Sequence, residues 1–409
     1  MKNKLHFSTS PHSTPSKERL FDAIQEERST IGYYKLPDQN LDEIMAYAQS
    51  FDDTIKTIVV IGIGGSSLGA KAVYRFLKPV KAPTRKLYFF ESTDPLDIMD
   101  TLSKFDLEST HFLVISKSGT TVETISVFKY VYTQLPEAKH YTFITDRDSS
   151  LDAFATKIGA KCLYLPQNVG GRFSVLSVVG LLPLALCGID IQALLRGAGQ
   201  IKESFFEDGY IKETLLNKAL YYAKNHTTYN INCLFAYTET LRYFVEWYVQ
   251  LWGESLGKKQ RHSEFHVGVT PIGLIGPKDQ HSFLQLIVEG TRDKSITFIK
   301  IEDFQDELVI PDVTLPHLEH LDILNGIAFH DLITMQSDSV IEALMQQGDI
   351  PIDEIIVRRV DEESIGQLIY YYELLTSLVG ELIDVNTYNQ PGVESGKIIL
   401  KNKLKKGEQ

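Results

Sequence analysis

Residues 57–71, TIVVIGIGGSSLGAK, decide the class of fold that the sequence predicts. Five β-branched residues run into a glycine-rich turn with two serines, and a stretch with helical periodicity follows. Comparable strand-like runs at 86–90, 111–115, 141–145 and 162–165 alternate with amphipathic stretches such as 68–77 and 122–134. Near-continuous apolar strands that alternate with helices predict an α/β fold, in which helices cover both faces of a parallel sheet.

The second half of the chain suggests another unit of the same kind. Residues 175–225 have a helical pattern almost throughout. Strand-like runs then return at 232–236, 265–269, 296–301 and 354–357. The simplest account is two α/β domains, 1–195 and 196–409, with a basic helical segment at the C-terminal end.

Bulk composition narrows the classes of function. Hydrophobic residues make up 43% of the 409 residues, enough for a sizeable core. The formal net charge of −12 argues against nucleic acid or an anionic membrane as the main partner. The three cysteines lie far apart, which argues against a disulfide framework or a structural zinc site. The polar start and the absence of a long apolar run predict a cytoplasmic protein without signal peptide or membrane span.

The turn after the first strand matches neither common nucleotide motif. Ser67 stands where the last glycine of GxGxxG belongs, and Ala70 separates Gly69 from Lys71 in the Walker pattern. What remains is a turn that exposes backbone N–H groups at a helix N-terminus, which is either an anion site or a serine-capped tight turn. This turn alone favours neither alternative.

A second strand-to-helix junction favours the anion site. Residues 116–124, SKSGTTVET, supply five hydroxyl groups, whereas capping needs one or two. A phosphate monoester has three oxygens to satisfy, and Lys117 adds positive charge. In an open α/β sheet both loops lie at the carboxyl ends of strands, where ligands bind. The pair of loops predicts a sugar-phosphate site.

Further segments are weak signals when taken singly. NVGGRFS at 168–174 presents Arg172 as a fixed cation, and Gly171 lets the backbone approach a ligand. On local sequence alone, Lys397 suits a surface lysine, Glu254 an exposed glutamate at a helix end, and His281 a core or helix-terminal histidine. Only their joint occurrence in order changes these interpretations.

Taken together, the segments resemble the phosphoglucose isomerase family, which is built from two sugar-isomerase (SIS) domains. The resemblance covers residues 57–400 and rests on GIGGSSLG, SKSGTTVET, NVGGRFS, QLWGESLGK, DQHS and YNQPGVESGK. It implies two SIS-type αβα sandwiches with parallel, flavodoxin-like sheets. It also implies the interconversion of glucose 6-phosphate and fructose 6-phosphate, a step of glycolysis and gluconeogenesis, through ring opening and a cis-enediol.

The resemblance also implies roles for individual residues. The resemblance implies substrate contacts from Gly65, Ser66, Ser116, Ser118, Thr121, Thr124, Gln250 and Gln390. The residues themselves add Lys117 for its charge, Thr120 for its hydroxyl group and Gly171 for close backbone approach. Glu254 would transfer the proton, Arg172 would lie beside C1 and C2, and His281 and Lys397 would serve ring opening. In the family the histidine comes from the neighbouring subunit, which implies a homodimer.

The expected chemistry needs no metal or redox cofactor, and residue spacing suggests none. A carboxylate moves the proton, and a cation stabilises the enediolate. Two other functions compete with this one. An isomerase of amino-sugar phosphates would share the serine–threonine loop, but it is not expected to carry NVGGRFS together with YNQPGVESGK. A sugar-phosphate-sensing regulator would tolerate loss of the base, whereas Glu254, Arg172 and Lys397 are all present.

Overall fold

The computed structural model describes residues 1–8 and 14–406, which form two five-stranded sheets with helices packed around them. The strands of this part of the chain are β1 Lys2–Leu5, β2 Thr57–Ile61, β3 Lys86–Phe90, β4 Thr110–Ile115, β5 Tyr141–Thr145, β6 Lys161–Tyr164, β7 Ile231–Ala236, β8 Lys258–Lys259, β9 His266–Val267, β10 Thr270–Ile275, β11 Lys294–Asp303 and β12 Ile352–Arg359. Its α-helices are α1 Thr14–Glu27, α2 Asp42–Gln49, α3 Leu68–Leu77, α4 Pro95–Leu102, α5 Val122–Gln134, α6 Ser150–Ile158, α7 Val178–Leu186, α8 Ile191–Phe206, α9 Tyr210–Asn225, α10 Arg242–Leu256, α11 Leu284–Glu289, α12 Phe329–Met345, α13 Glu362–Leu382 and α14 Glu394–Lys406.

The first sheet is entirely parallel, in the order β3-β2-β4-β5-β6. Every residue of β2, β4 and β5 is buried, because helices cover both faces. In chain order this is the 2-1-3-4-5 arrangement of flavodoxin-like folds. The predicted parallel α/β architecture is confirmed.

The second sheet has the order β1-β12-β11-β7-β10, in which β1 is antiparallel and the other pairs are parallel. The predicted strand at 265–269 is wrong, because only His266–Val267 pair there, in a short hairpin with Lys258–Lys259. The sheet strand follows at Thr270–Ile275, where Pro271 and Gly273 conceal the strand pattern. Proline is tolerated here because β10 lies at the edge of the sheet.

The N-terminal strand β1 was not predicted. It pairs with β12, which lies near the other end of the sequence. Asn3 Nδ2 donates to Asp353 Oδ2 at 2.8 Å. Asp353 also accepts from the fully buried Lys218 amine at 2.7 Å. Residues 2–5 therefore lie in the second sheet. The domain boundary between residues 195 and 196 stays a prediction.

Helices α7, α8 and α9 occupy the stretch predicted to be helical, and they join a large core with α10 and α13. The predicted C-terminal helix is present as α14, and residues 407–409 of the basic end lie outside the described residues. None of the helices in 1–8 and 14–406 combines the length and hydropathy that crossing a bilayer requires.

Candidate active site

Two loops rich in small polar residues leave neighbouring strands at one edge of the first sheet. Residues 62–67 follow β2, and residues 116–121 follow β4. The two strands pair in parallel with Ile61 opposite Val114, so the loops emerge side by side. Each loop leads into a helix, α3 or α5, whose first N–H groups attract anions. Two such loops at the carboxyl ends of parallel strands suit the binding of an anion.

The hydroxyl groups of the second loop form a compact cluster. Ser116 Oγ lies 2.9 Å from Thr121 Oγ1, and Ser118 Oγ lies 3.2 Å from Thr120 Oγ1. The N-cap residue of α5, Thr121, makes no capping hydrogen bond with its side chain. Thr124 is buried, and its hydroxyl has no hydrogen-bond partner in the described part of the chain. Ser116 and Ser118 also accept from the backbone N–H groups of Thr121 at 3.4 Å and Thr120 at 3.3 Å. The loop therefore supplies more hydroxyl groups than capping of α5 uses.

The amine of Lys117 is held by backbone carbonyls. Its Nζ donates to the oxygen of Gln167 at 2.8 Å and to that of Val169 at 2.7 Å. Both acceptors belong to residues 167–174, the arginine loop, which contains Arg172. Lys117 thus ties the hydroxyl loop to the arginine loop, in addition to bringing a positive charge near the anion site.

The first loop touches the arginine loop directly. A Cβ on Gly65 would lie 2.2 Å from the carbonyl carbon of Gly171 and 2.3 Å from its oxygen, so only glycine permits this approach. Ser174 Oγ also donates to Gly65 O at 3.3 Å. Ser66 ends the same 3₁₀ turn, Gly64–Ser66. Gly65, Ser66 and Gly171 therefore lie at one junction between the two loops.

Arg172 is anchored from behind by three acceptors. It is 2% exposed. Its Nε donates to Ser255 Oγ at 2.7 Å, and its Nη2 donates to the carbonyls of Thr387 at 2.5 Å and Asn389 at 2.9 Å. Burial lowers the pKa of the guanidinium, and the nearby carboxylate of Glu254 acts in the opposite direction. An arginine so held presents its remaining nitrogen, Nη1, in a fixed place.

Nη1 of Arg172 contacts two of the predicted site residues. It lies 3.1 Å from Gln390 Oε1 and 3.2 Å from Glu254 Oε2. Gln250 stands one helical turn before Glu254 on α10, and its Nε2 donates to Glu254 Oε1 at 3.5 Å. The Glu254 side chain is nevertheless 35% exposed. A carboxylate that is held on one side and open on the other can accept a proton from a bound molecule.

Sequence reasoning missed Ser255 and Lys258. Ser255 is buried and accepts from Arg172, while Lys258 Nζ donates to the carbonyls of Asn386 at 3.0 Å and Asn389 at 2.5 Å. Burial, with the charge of Arg172 second, lowers the pKa of Lys258 to about 8. Their positions one and four residues after Glu254 were the available signal. The carbonyl partners leave no trace in the sequence, because backbone groups are the same at every residue.

An open cavity of about 670 Å³ adjoins the carbonyls that hold Arg172 and Lys258. It is lined by Lys258, residues 259–264, Asn386, Asn389 and Pro391. Ligand pockets commonly have volumes of about 300–1,000 Å³. The cavity is therefore large enough to take a small polar molecule, but neither Arg172 nor Glu254 lines it.

His281 and Lys397 stand apart from this cluster. His281 ends the 3₁₀ turn Lys278–His281 and is exposed. Lys397 lies on α14, where its Nζ pairs with Glu394 at 2.8 Å and its side chain is 62% exposed. Across residues 1–8 and 14–406, no hydrogen bond or ion pair joins either group to Arg172 or Glu254. Hydrogen bonds within the described ranges thus join the arginine, the glutamate and both glutamines, and none of them includes the histidine or the lysine.

Known proteins resemble this chain along nearly its whole length. A family model described as phosphoglucose isomerase matches residues 45–409. The glucose-6-phosphate isomerase of Campylobacter jejuni is 43% identical over 414 residues, which cover 99% of each chain. A crystal structure of a hypothetical protein from Thermus thermophilus superposes with a TM-score of 0.88 at 32% identity, covering 96% of this chain and 95% of that one. A glucose-6-phosphate isomerase structure from Chlamydia trachomatis shares the fold, with a TM-score of 0.75 at 24% identity over 98% of this chain and 77% of that one.

Proposed function

This chain belongs to the phosphoglucose isomerase family, and on that premise we propose that it catalyses the reversible isomerisation of glucose 6-phosphate to fructose 6-phosphate. It is an aldose–ketose isomerase. The observation that carries the proposal is the Glu254 carboxylate, which lies 3.2 Å from the buried guanidinium of Arg172 while part of it stays open to solvent. Moving a proton between two adjacent carbons requires such a base beside such a cation.

Each group of the cluster has a defined task in this reaction. Glu254 takes the proton from C2 of the open-chain sugar and returns it to C1, so that no proton is lost overall. The negative charge that develops on the enediolate oxygens lies beside Nη1 of Arg172. Gln250 and Gln390 hold the carboxylate and the guanidinium in register through the contacts at 3.5 Å and 3.1 Å. His281 and Lys397 open the ring as acid and base.

The phosphate of the substrate binds at the edge where β2 and β4 end. The hydroxyl groups of Ser116, Ser118, Thr120, Thr121 and Thr124 surround the first turn of α5, and Gly65 and Ser66 supply the facing loop. The net charge of the chain is −12, so an anionic substrate must be held by local donors. Hydroxyl groups and helix N–H groups are suitable donors for a dianionic phosphate monoester. Lys117 contributes its charge from its position between the two loops.

The reaction is tested with fructose 6-phosphate and a glucose-6-phosphate dehydrogenase that reports product as NADPH. The native chain should give a fast signal, and Glu254→Gln should lose turnover but still bind substrate, because the amide keeps the shape and removes the base. Exchange of the C2 proton with deuterated solvent reports the same step directly. Exchange at the native rate in Glu254→Gln would exclude this residue as the base.

The active site is completed by a second copy of the chain. Two elements expose large apolar side chains: the segment 304–328, with Leu308 63% and Ile323 77% exposed, and α14, with Ile398 59% and Leu404 54% exposed. Such surfaces are uncommon on monomers and mark interfaces. His281 and Lys397 are exposed as well, so a partner can present them to the Arg172–Glu254 pair. These features support a homodimer with shared active sites.

Mixing two inactive variants tests whether the sites are shared. In a heterodimer of Glu254→Gln with His281→Ala, one site combines both defects and the other combines both native residues. Random reassembly makes about half of the dimers heterodimers, and each of these has one native site out of two. The mixture should therefore recover about a quarter of the native activity. If His281 acted within its own chain, both sites would carry a defect and no activity would return. Light scattering of the native chain establishes the dimer independently.

The cysteines support a cytoplasmic location. Cys162, Cys187 and Cys233 are all free, and burial raises the pKa of each thiol to about 12. Thiols of this kind are usual in reducing compartments. Fractionation of the source cells, with activity followed by the same coupled assay, tests this location.

A further inference from the structure

Three side chains that can bind metal meet at the amino ends of strands of the first sheet, away from loops 62–67 and 116–121. Glu108 precedes β4, and Glu137 and His140 precede β5. The two strands are parallel neighbours with Phe112 opposite Tyr141, so the turns that precede them lie together. One ligand atom from each of the three side chains lies within 4.8 Å of the others.

The imidazole of His140 is oriented as metal ligands are. The residue is 3% exposed, and its Nδ1 lies 3.1 Å from the carbonyl oxygen of Thr110. A carbonyl can only accept, so Nδ1 carries the proton and Nε2 presents a lone pair. Nε2 is buried and has no hydrogen-bond partner among the described residues. Such buried atoms are rare, and a histidine ligand commonly donates its other N–H to a carbonyl in this way.

The two carboxylates complete the set of donors. Glu108 and Glu137 are exposed, and in the described ranges neither forms an ion pair with a lysine or an arginine. Glu137 Oε2 lies 3.5 Å from His140 Nε2. Two donors on one tetrahedral ion, with bonds of about 2.1 Å, lie about 3.4 Å apart. The observed separation therefore suits a shared cation, which would also offset the repulsion between the carboxylates.

We propose that Glu108, Glu137 and His140 bind a divalent transition-metal ion, with water completing its coordination. One imidazole nitrogen and two carboxylate oxygens favour Zn²⁺ over Mg²⁺ or Ca²⁺, which prefer oxygen ligands throughout. The bound ion links the turns before β4 and β5 and so stabilises the first sheet. It takes no part in the isomerisation, since loops 62–67 and 116–121 follow β2 and β4 at the opposite end of this parallel sheet.

Isothermal titration with ZnCl₂ alone tests the proposal on the full chain after treatment with a chelator. The native chain should bind one ion that raises its melting temperature by a few degrees and leaves the isomerisation rate unchanged. Glu108→Gln and Glu137→Gln keep the side-chain shape and remove one ligand each, so each should weaken binding at least about tenfold. Glu207→Gln, at an exposed glutamate after α8, is the matched control and should bind as the native chain does.

Two results would overturn the proposal. One is the absence of Zn²⁺ binding by the native chain, which would leave the cluster of Glu108, Glu137 and His140 without a metal. The other is Zn²⁺ binding that survives unchanged in the double variant of Glu108 and Glu137, which would place the ion elsewhere. Circular dichroism of each variant verifies that lost affinity is not lost folding.

Discussion

Arg172 and Glu254, 82 residues apart in the sequence, meet with Nη1 and Oε2 3.2 Å apart. The two side chains differ in solvent exposure: the arginine side chain is 1% exposed and the glutamate side chain 35%. Ser255 and the carbonyls of Thr387 and Asn389 hold the arginine from behind. The position of the carboxylate is thus set by a cation that cannot move away from it.

Arg172→Lys should reduce both activity and stability. A lysine cannot reach Ser255, Gln390 and two carbonyls from one position, so buried acceptors lose their donors at a cost of about 1–3 kcal/mol each. Losing the donor to the enediolate should lower kcat by roughly 10²–10³-fold. The coupled assay and thermal unfolding measure the two effects. Arg196→Lys, at an exposed arginine on α8, should change neither, and native turnover in Arg172→Lys would remove the arginine from the mechanism.

Gly65→Ala should separate two loops that now touch. The new Cβ would lie 2.2 Å from the carbonyl carbon of Gly171, so one loop must move, and with it the anion site or Arg172. We expect a loss of kcat/KM of about 10²-fold, since small displacements at a reacting centre have effects of this size. Gly199→Ala on α8 is the control, because its Cβ would meet no atom within 4 Å and helix propensity should raise stability by about 1 kcal/mol. Equal kinetics for the two variants would show that the contact is unimportant.

The sequence predicted those parts of the molecule in which local pattern and final burial agree. The runs at 57–61 and 141–145 are strands with the predicted bounds, since both faces of the sheet are covered there. The run at 86–90 also has its predicted bounds, as the half-buried edge strand β3. Lys2–Leu5 was missed, because its strand depends on pairing with β12 and three of its four residues are polar. The Arg172–Glu254 contact could be expected only from the family resemblance. Its supporting carbonyls could not be expected from any pattern of side chains.

Lys117→Met should lower kcat more than it weakens phosphate binding. The amine donates to the carbonyls of Gln167 and Val169, so its removal loosens the segment that positions Arg172. We expect a fall in kcat of about tenfold and a lower melting temperature, with inhibition by inorganic phosphate changed less. Lys129→Met, at an exposed lysine on α5, is the matched control. A loss confined to phosphate affinity, at native kcat, would show that Lys117 acts only through its charge.

Glu373 should make the stability of the protein fall as the pH rises. It is fully buried on α13, and neither carboxylate oxygen has a hydrogen-bond partner in the part of the chain described, so burial raises its pKa well above 4.5. Between the unfolded and the folded pKa, the folded chain holds a proton that the unfolded chain has lost. Unfolding then releases a proton and becomes easier at higher pH, by about 1.4 kcal/mol per pH unit within that window.

Glu373→Gln replaces the titratable carboxyl group with an amide of the same shape. It should therefore weaken the fall of stability with rising pH. Melting temperatures of the native chain and the variant, compared between pH 5.5 and pH 8, measure the difference and cancel the contributions of the other titrating groups. The native chain should lose more stability than the variant over this range. Glu207→Gln, in which the replaced carboxyl is exposed, should follow the native curve. Parallel curves for Glu373→Gln and the native chain would contradict the prediction, because they would mean that folding does not raise the pKa of Glu373.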